Sequence, residues 1–232
     1  MYKVYLTMAD IQLMEKAALN TRDQLLIRMI SHTGCRVTEV TALTVDDVDL
    51  ENGTITIQHL KSRNKVSCPF CGTRLNKTNV FCPGCSTKVE KVVKKALEFR
   101  KLRTLPLDEE TIDMIDYHIK QGGPVLEDGK LMLFGFKRGN AYKIVKDCGK
   151  RAGLPDLINP RTGKKRGISP HRLRDAFAIH AIQKDDSADS LIMLQEHLGH
   201  ASFNTTAQYR KIALEEHREW YGKLWREDKD SG

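Results

Sequence analysis

Near the C-terminus the sequence reads Leu198-Gly199-His200, then a polar, turn-forming segment, then Tyr209, nine positions beyond the histidine. Two other fragments carry cations that an anionic group would need: Thr33-Gly34-Cys35-Arg36-Val37-Thr38-Glu39, and Pro170-His171-Arg172-Leu173-Arg174. Arg36 opens a predicted short helix, where the peptide dipoles favour an anion. The plainer alternative pairs Arg36 with Glu39 for structural reasons. His171 and Arg174 stand three apart on a predicted helix and so share a face. A structural pair is again the alternative, but the stretch that contains them, Arg151 to Arg174, holds seven Lys/Arg against one Asp and favours a functional one.

The four cysteines Cys68, Cys71, Cys82 and Cys85 form C-x2-C-x10-C-x2-C. That spacing is metal chemistry and not a disulfide framework. Each C-x2-C makes a knuckle, and small residues after it, Gly72 and Ser86, let backbone amides approach sulfur. Two knuckles make a closed tetrahedral S4 site suited to one structural Zn2+, with no open position for catalysis. A redox-active dithiol leaves the paired spacing unexplained, and a rubredoxin-like iron site is the remaining alternative.

Helical periodicity predicts elements over about Thr7–Asn20, Arg22–His32, a short Cys35–Leu43, Leu107–Lys120, Asn140–Ala152, one opened by Ser169 or Pro170, and Ser187–His197. Gly34 and Gly199 are placed as left-handed caps. Between the third and fourth helices the period becomes two: Val45–Leu50, a Glu51-Asn52-Gly53 turn and Thr54–Gln58 read as a hairpin, with a third strand at Arg103–Leu107. The cysteine block and a basic segment, Lys88 to Arg103, with seven Lys/Arg against two Glu, lie between the second and third strands. The final stretch, Ile212 to Arg226, is amphipathic, packing on its own domain or docking into a neighbouring protomer.

With 232 residues, 40% of them hydrophobic, the chain can bury a core, and a net charge of +8 makes a polyanion the leading partner class. No apolar run approaches the roughly 18 residues of a membrane span, and the N-terminus lacks a signal-peptide core, so a cytoplasmic protein is expected, nucleoid-associated in a prokaryote.

Taken in order, T-G-C-R-V-T-E, H-R-L-R, L-G-H and a tyrosine nine residues further on resemble the catalytic domain of the tyrosine recombinases, the phage-integrase family of DNA breaking and rejoining enzymes. The resemblance runs from about Thr7 to Arg210. It implies an α+β, mainly α-helical fold with a small three-stranded antiparallel sheet, here with a zinc ribbon between the second and third strands. The corresponding divisions are 1–66 and 88–210 for the catalytic domain, 67–87 for the ribbon and 211–232 for a C-terminal helix.

The resemblance also implies roles. Arg36 and Arg174 would be the catalytic arginines, Glu39 the support of the first, His171 and His200 the assisting histidines, and Tyr209 the nucleophile. The catalytic lysine lies after the second sheet strand in this family, which makes Lys61 the first choice and Lys65 the second. Phosphodiester cleavage places extra negative charge on non-bridging oxygens, which fixed guanidinium groups stabilise. A 3′-phosphotyrosine retains the bond energy for rejoining, so neither nucleotide nor catalytic metal is needed. The implied partners are double-stranded DNA and further copies of the chain, a tetramer in a recombination synapse.

Two features depart from the family pattern. Relatives carry an N-terminal helical core-binding domain, whereas catalytic-type helices begin here at about Thr7, leaving cleavage as the activity expected of this chain by itself. The ribbon also falls inside the hairpin that delivers the lysine. The competing functions are a non-catalytic zinc-ribbon DNA-binding module, and a relaxing enzyme like the type IB topoisomerases, which shares the tyrosine chemistry.

Overall fold

In the computed structural model the described residues are 3–58, 65–68, 70–75, 79–88, 94–95, 102–159 and 162–199. They divide into two compact units, Met1–Ile57 with Thr104–Gly232, and Gln58–Arg103.

The first unit is built around α2 (Thr21–Thr33), whose Leu25, Leu26, Ile27, Met29 and Ile30 are fully buried. Each such side chain contributes roughly 1.5–3 kcal/mol by leaving water. Against α2 pack α1 (Met8–Lys16), α4 (Glu109–Lys120) and α6 (Pro170–Lys184). The remaining helices are α3 (Val37–Val40), α5 (Arg138–Arg151) and α7 (Ala188–Leu198). A second apolar cluster joins Ala178, Ile179 and Ile182 of α6 to Leu191, Leu194 and Leu198 of α7. Among the described residues no helix is long and apolar enough to cross a membrane.

A three-stranded sheet has the order β1 (Val48–Asp49), β2 (Thr54–Gln58), β5 (Leu102–Pro106). β1 and β2 are antiparallel, pairing Val48 with Ile55, and alternation along β2 buries Ile55 and Ile57. Between β2 and β5 the chain forms β3 (Lys65–Val66) and β4 (Lys94–Lys95), an antiparallel pair within the inserted unit. Two further antiparallel pairs are β6 (Val125–Glu127) with β7 (Lys130–Met132), and β8 (Leu157–Ile158) with β9 (Lys165–Arg166).

Local polar chemistry shifts several expected boundaries. The first helix stops at Lys16, short of Asn20, because Asn20 serves α2 instead: its side chain accepts from the Asp23 N–H at 2.9 Å. The expected strand from Val45 begins only at Val48, since the Asp47 carboxylate captures the Thr44 N–H at 2.8 Å and winds Val45–Asp47 into a 3-10 turn. The helix expected over Cys35–Leu43 is the single turn α3, with Arg36 as its N-cap.

Candidate active site and cysteine cluster

Two helices end with glycine in the left-handed conformation, α2 at Gly34 (φ 60°) and α7 at Gly199 (φ 62°). Carbonyls at such ends lack partners within their own helix, and the summed peptide dipoles make these ends negative. Arg174, from the second turn of α6, answers both. Its Nη1 donates to the Gly34 carbonyl at 2.5 Å and its Nη2 to the Leu198 carbonyl at 2.7 Å. The residue is only 4% exposed, so these charge-assisted bonds offset much of the cost of burying a guanidinium.

Arg36 stands two residues beyond Gly34 and is held by the same α7 terminus. Its backbone N–H donates to Glu39 Oε2 at 2.8 Å, its Nη1 to Glu39 Oε1 at 2.9 Å and its Nη2 to the Gly199 carbonyl at 3.3 Å. The Glu39 side chain is 1% exposed and that of Arg36 28%. A buried carboxylate therefore fixes a guanidinium whose other side still meets solvent. The Arg36–Glu39 pair of the plainer sequence alternative is present, and it fixes the direction of the guanidinium.

His171 and Arg174 rise from one helix start, which follows Ser169 as N-cap and Pro170 at the first turn. Their environments differ. His171 has a 61% exposed side chain with Nε2 3.8 Å from Asp175 Oδ1, while Asp175 Oδ2 accepts from Arg172 Nη1 at 2.6 Å. The α6 start thus supplies one buried cation and one solvent-facing imidazole.

Two supporting residues were not singled out in the sequence. Asp175 is the first. His197 Nε2 donates to the Thr33 carbonyl at 2.9 Å, which puts its proton on that nitrogen. Its ring stacks on Phe177, centroids 5.0 Å apart. Phe177 and Leu198 close over Gly34, where a Cβ would lie 2.5 Å from Phe177 Cδ1 and 2.7 Å from Leu198 Cδ2. The available signal was His197-Leu198-Gly199-His200, in which two histidines flank the helix end.

The structure thus brings Arg36, Glu39 and Arg174 to the α2–α3 junction and the α7 end, with His171 one turn before Arg174. His200 follows Gly199 directly in sequence, but His200, Tyr209 and Lys61 lie outside the described residues, as does the 211–232 segment. Lys65 is placed in β3, with its backbone paired to Lys95, and its side chain lies outside the description.

In the inserted unit the ligand-capable sulfurs of Cys68, Cys71, Cys82 and Cys85 all lie within 4.8 Å of one another. Cys68 Sγ is 3.6 Å from Cys85 Sγ, and Cys71 Sγ is 3.4 Å from Cys82 Sγ. Tetrahedral coordination at about 2.3 Å sets sulfurs about 3.8 Å apart, so the cluster fits one metal ion. The knuckles repeat each other. Cys68 N–H donates to Thr73 O at 2.8 Å and Gly72 N–H to Cys68 O at 2.9 Å; fourteen positions on, Cys82 N–H donates to Thr87 O at 2.9 Å and Ser86 N–H to Cys82 O at 2.8 Å. Each exposed cysteine meets a threonine hydroxyl: Cys71 Sγ at 3.1 Å from Thr73 Oγ1, and Cys85 Sγ at 3.3 Å from Thr87 Oγ1. The Thr73 hydroxyl and backbone draw the Cys71 thiol down to about 6, whereas burial pushes the Cys82 thiol up to about 11.

Comparison with known proteins gives the fold first. A crystal structure of XerA recombinase superposes with a TM-score of 0.65, covering 97% of this chain and 65% of that one at 21% identity. XerH site-specific recombinase bound to a palindromic difH substrate, in a post-cleavage complex, gives a TM-score of 0.61, covering 98% and 54% at 22% identity. This is the tyrosine-recombinase catalytic fold. The family follows from the sequence model for the phage integrase family, which matches residues 6–216. The chain belongs to the phage integrase family. Among curated relatives, tyrosine recombinase XerD of Neisseria meningitidis is 28% identical over 200 residues, covering 83% of this chain and 51% of the relative. The chain spans about half the length of the curated relatives it matches.

Proposed function

We propose that this chain is the catalytic part of a site-specific DNA recombinase or integrase that cleaves and rejoins strands through a 3′-phosphotyrosine. The observation that carries it is the fixed pair of guanidinium groups, Arg36 and Arg174, gathered at the helix end that leads directly into His200. Family membership and a substrate-bound structural neighbour support the same reading.

In the proposed reaction the Tyr209 oxygen bonds to phosphorus and the bond to the 5′-oxygen breaks. The phenol gives up its proton to His171 or His200, and Lys61, or Lys65 in its place, protonates the departing 5′-oxygen. Arg36 and Arg174 stabilise the extra charge on the non-bridging oxygens, each by about a hundredfold in rate or more. Glu39 positions Arg36, and His171 and His200 hydrogen-bond the phosphoryl group. Attack by a free 5′-hydroxyl reverses the step and restores Tyr209.

Zinc is the proposed occupant of the four cysteines, a structural ion that organises a ribbon over 67–87; no catalytic metal or nucleotide takes part. Duplex DNA is the substrate, and a tetramer of chains on two duplexes is the proposed assembly for complete exchange. A nicked suicide duplex, which traps the covalent intermediate, tests the reading: an adduct is expected, and plasmid relaxation without site preference would favour a topoisomerase-like enzyme instead.

A further inference from the structure

The inserted unit Gln58–Arg103 holds twelve Lys/Arg against two Glu, net +10. The other 186 residues hold 26 Lys/Arg against 28 Asp/Glu, net −2. The whole positive balance of the chain therefore resides in the insertion. Four thiolates on one divalent ion would subtract only two, leaving a strong positive field.

The repeat in the knuckles gives that charge a fixed presentation. Cys-Pro-x-Cys-x-Thr is followed by Arg74 in the first copy and Lys88 in the second, equivalent positions fourteen residues apart. Each cation sits in an isolated antiparallel bridge, Ser67 with Arg74 and Phe81 with Lys88, and both are exposed. Phe70 and Phe81 are also exposed, at 76% and 59%. Phe81 is the bridge partner of Lys88, so at the second knuckle an exposed ring stands beside a cation, an arrangement that suits contact with phosphate and sugar. A solvated charged face has no need of the rings.

We propose that the inserted unit is a docking surface for the phosphate backbone of duplex DNA, with Arg74 and Lys88 each neutralising a phosphate. Its affinity is independent of sequence and adds to that of the catalytic unit. The choice of duplex DNA as occupant rests on the proposed function; the charge concentration does not.

The test is equilibrium binding of the full zinc-loaded chain to duplex DNA of arbitrary sequence over a range of salt. For Arg74→Gln/Lys88→Gln the slope of log affinity against log salt should fall by about 2, with affinity about tenfold weaker. Arg74→Lys/Lys88→Arg, which exchanges the cations but keeps the charge, should restore the slope. Where the double variant loses zinc, the single variants decide the matter, each lowering the slope by about 1. An unchanged slope overturns the proposal, as does an equal loss in the charge-preserving variant. Preferential binding to single strands or anionic vesicles through these two residues overturns the choice of duplex. At saturating DNA the double variant should still form the covalent adduct. If the unaltered chain forms none, the proposed catalysis fails while the salt slope still judges the docking surface.

Discussion

Arg36 donates from Nη2 to the carbonyl oxygen of Gly199 at 3.3 Å, across 163 residues of sequence. The contact ties the first arginine box to the residue that immediately precedes His200. With Arg174 bonded to Leu198 on the same helix end, the α7 terminus organises both cations at once. The cap that stops α7 therefore also positions catalysis in the proposed mechanism.

Gly34 is required in two ways. Its φ of 60° disfavours any side chain, and a Cβ would strike Phe177 and Leu198 at 2.5 and 2.7 Å. Gly34→Ala should lose about 2 kcal/mol or more in denaturant unfolding, from left-handed strain plus the displaced ring. Because Gly34 also offers its carbonyl to Arg174, adduct formation should fall in the protein that remains folded.

Arg174→Lys retains the charge but cannot span two carbonyls with a planar fork. Single-turnover cleavage should fall by about a hundredfold, with duplex binding nearly unchanged. Glu39→Gln should produce a smaller loss of the same kind, since a neutral amide still accepts one bond from Arg36 but no longer anchors its charge.

These cases show what the sequence made legible. The glycine caps at Gly34 and Gly199 and the gathering of the four cysteines follow from short-range chemistry, and the structure places them as read; the roles of the arginine boxes came from the family resemblance. The carbonyl contacts of Arg174 and the stacking of His197 on Phe177 depend on which helix ends meet, and no local pattern carries that. The shortened α1, where Asn20 caps α2, and the delayed β1, where Asp47 holds the Thr44 N–H, have a different cause: side-chain contacts three residues apart that compete with the hydrophobic period.

An ionic cluster on α1, α2 and the start of α4, in which Arg28 and Glu15 are buried and Asp108 and Glu110 exposed, makes stability depend on pH. Arg28 lies 2.6 Å from Asp108 and 2.7 Å from Glu110 but 3.5 Å from Glu15, whose Oε1 has no hydrogen-bond partner among the described residues. Burial pushes the Glu15 carboxyl up to about 7 from its ordinary 4.5. The group takes up a proton on folding, so its stabilising contribution is complete below pH 4.5 and is lost as pH rises through about 7. Glu15→Gln should flatten the fall in unfolding free energy across that window and raise stability at pH 8 by about 1–3 kcal/mol.

The cysteine cluster should bind one metal per chain. Elemental analysis of protein purified without chelator should find about one zinc, and cobalt in its place should show the visible absorption of a tetrahedral tetrathiolate. Cys82→Ser should shift those bands and weaken the metal. Protein without metal, or with octahedral cobalt, would remove the ribbon from the account.

The central claim is that Tyr209 becomes joined to DNA. Incubation of the chain with a nicked suicide duplex containing its core site should yield a covalent protein–DNA adduct that is resistant to denaturant and sensitive to protease. Mass spectrometry should locate the attached nucleotide on Tyr209. The adduct should vanish in Tyr209→Phe, and an adduct that persists in that variant would contradict the account.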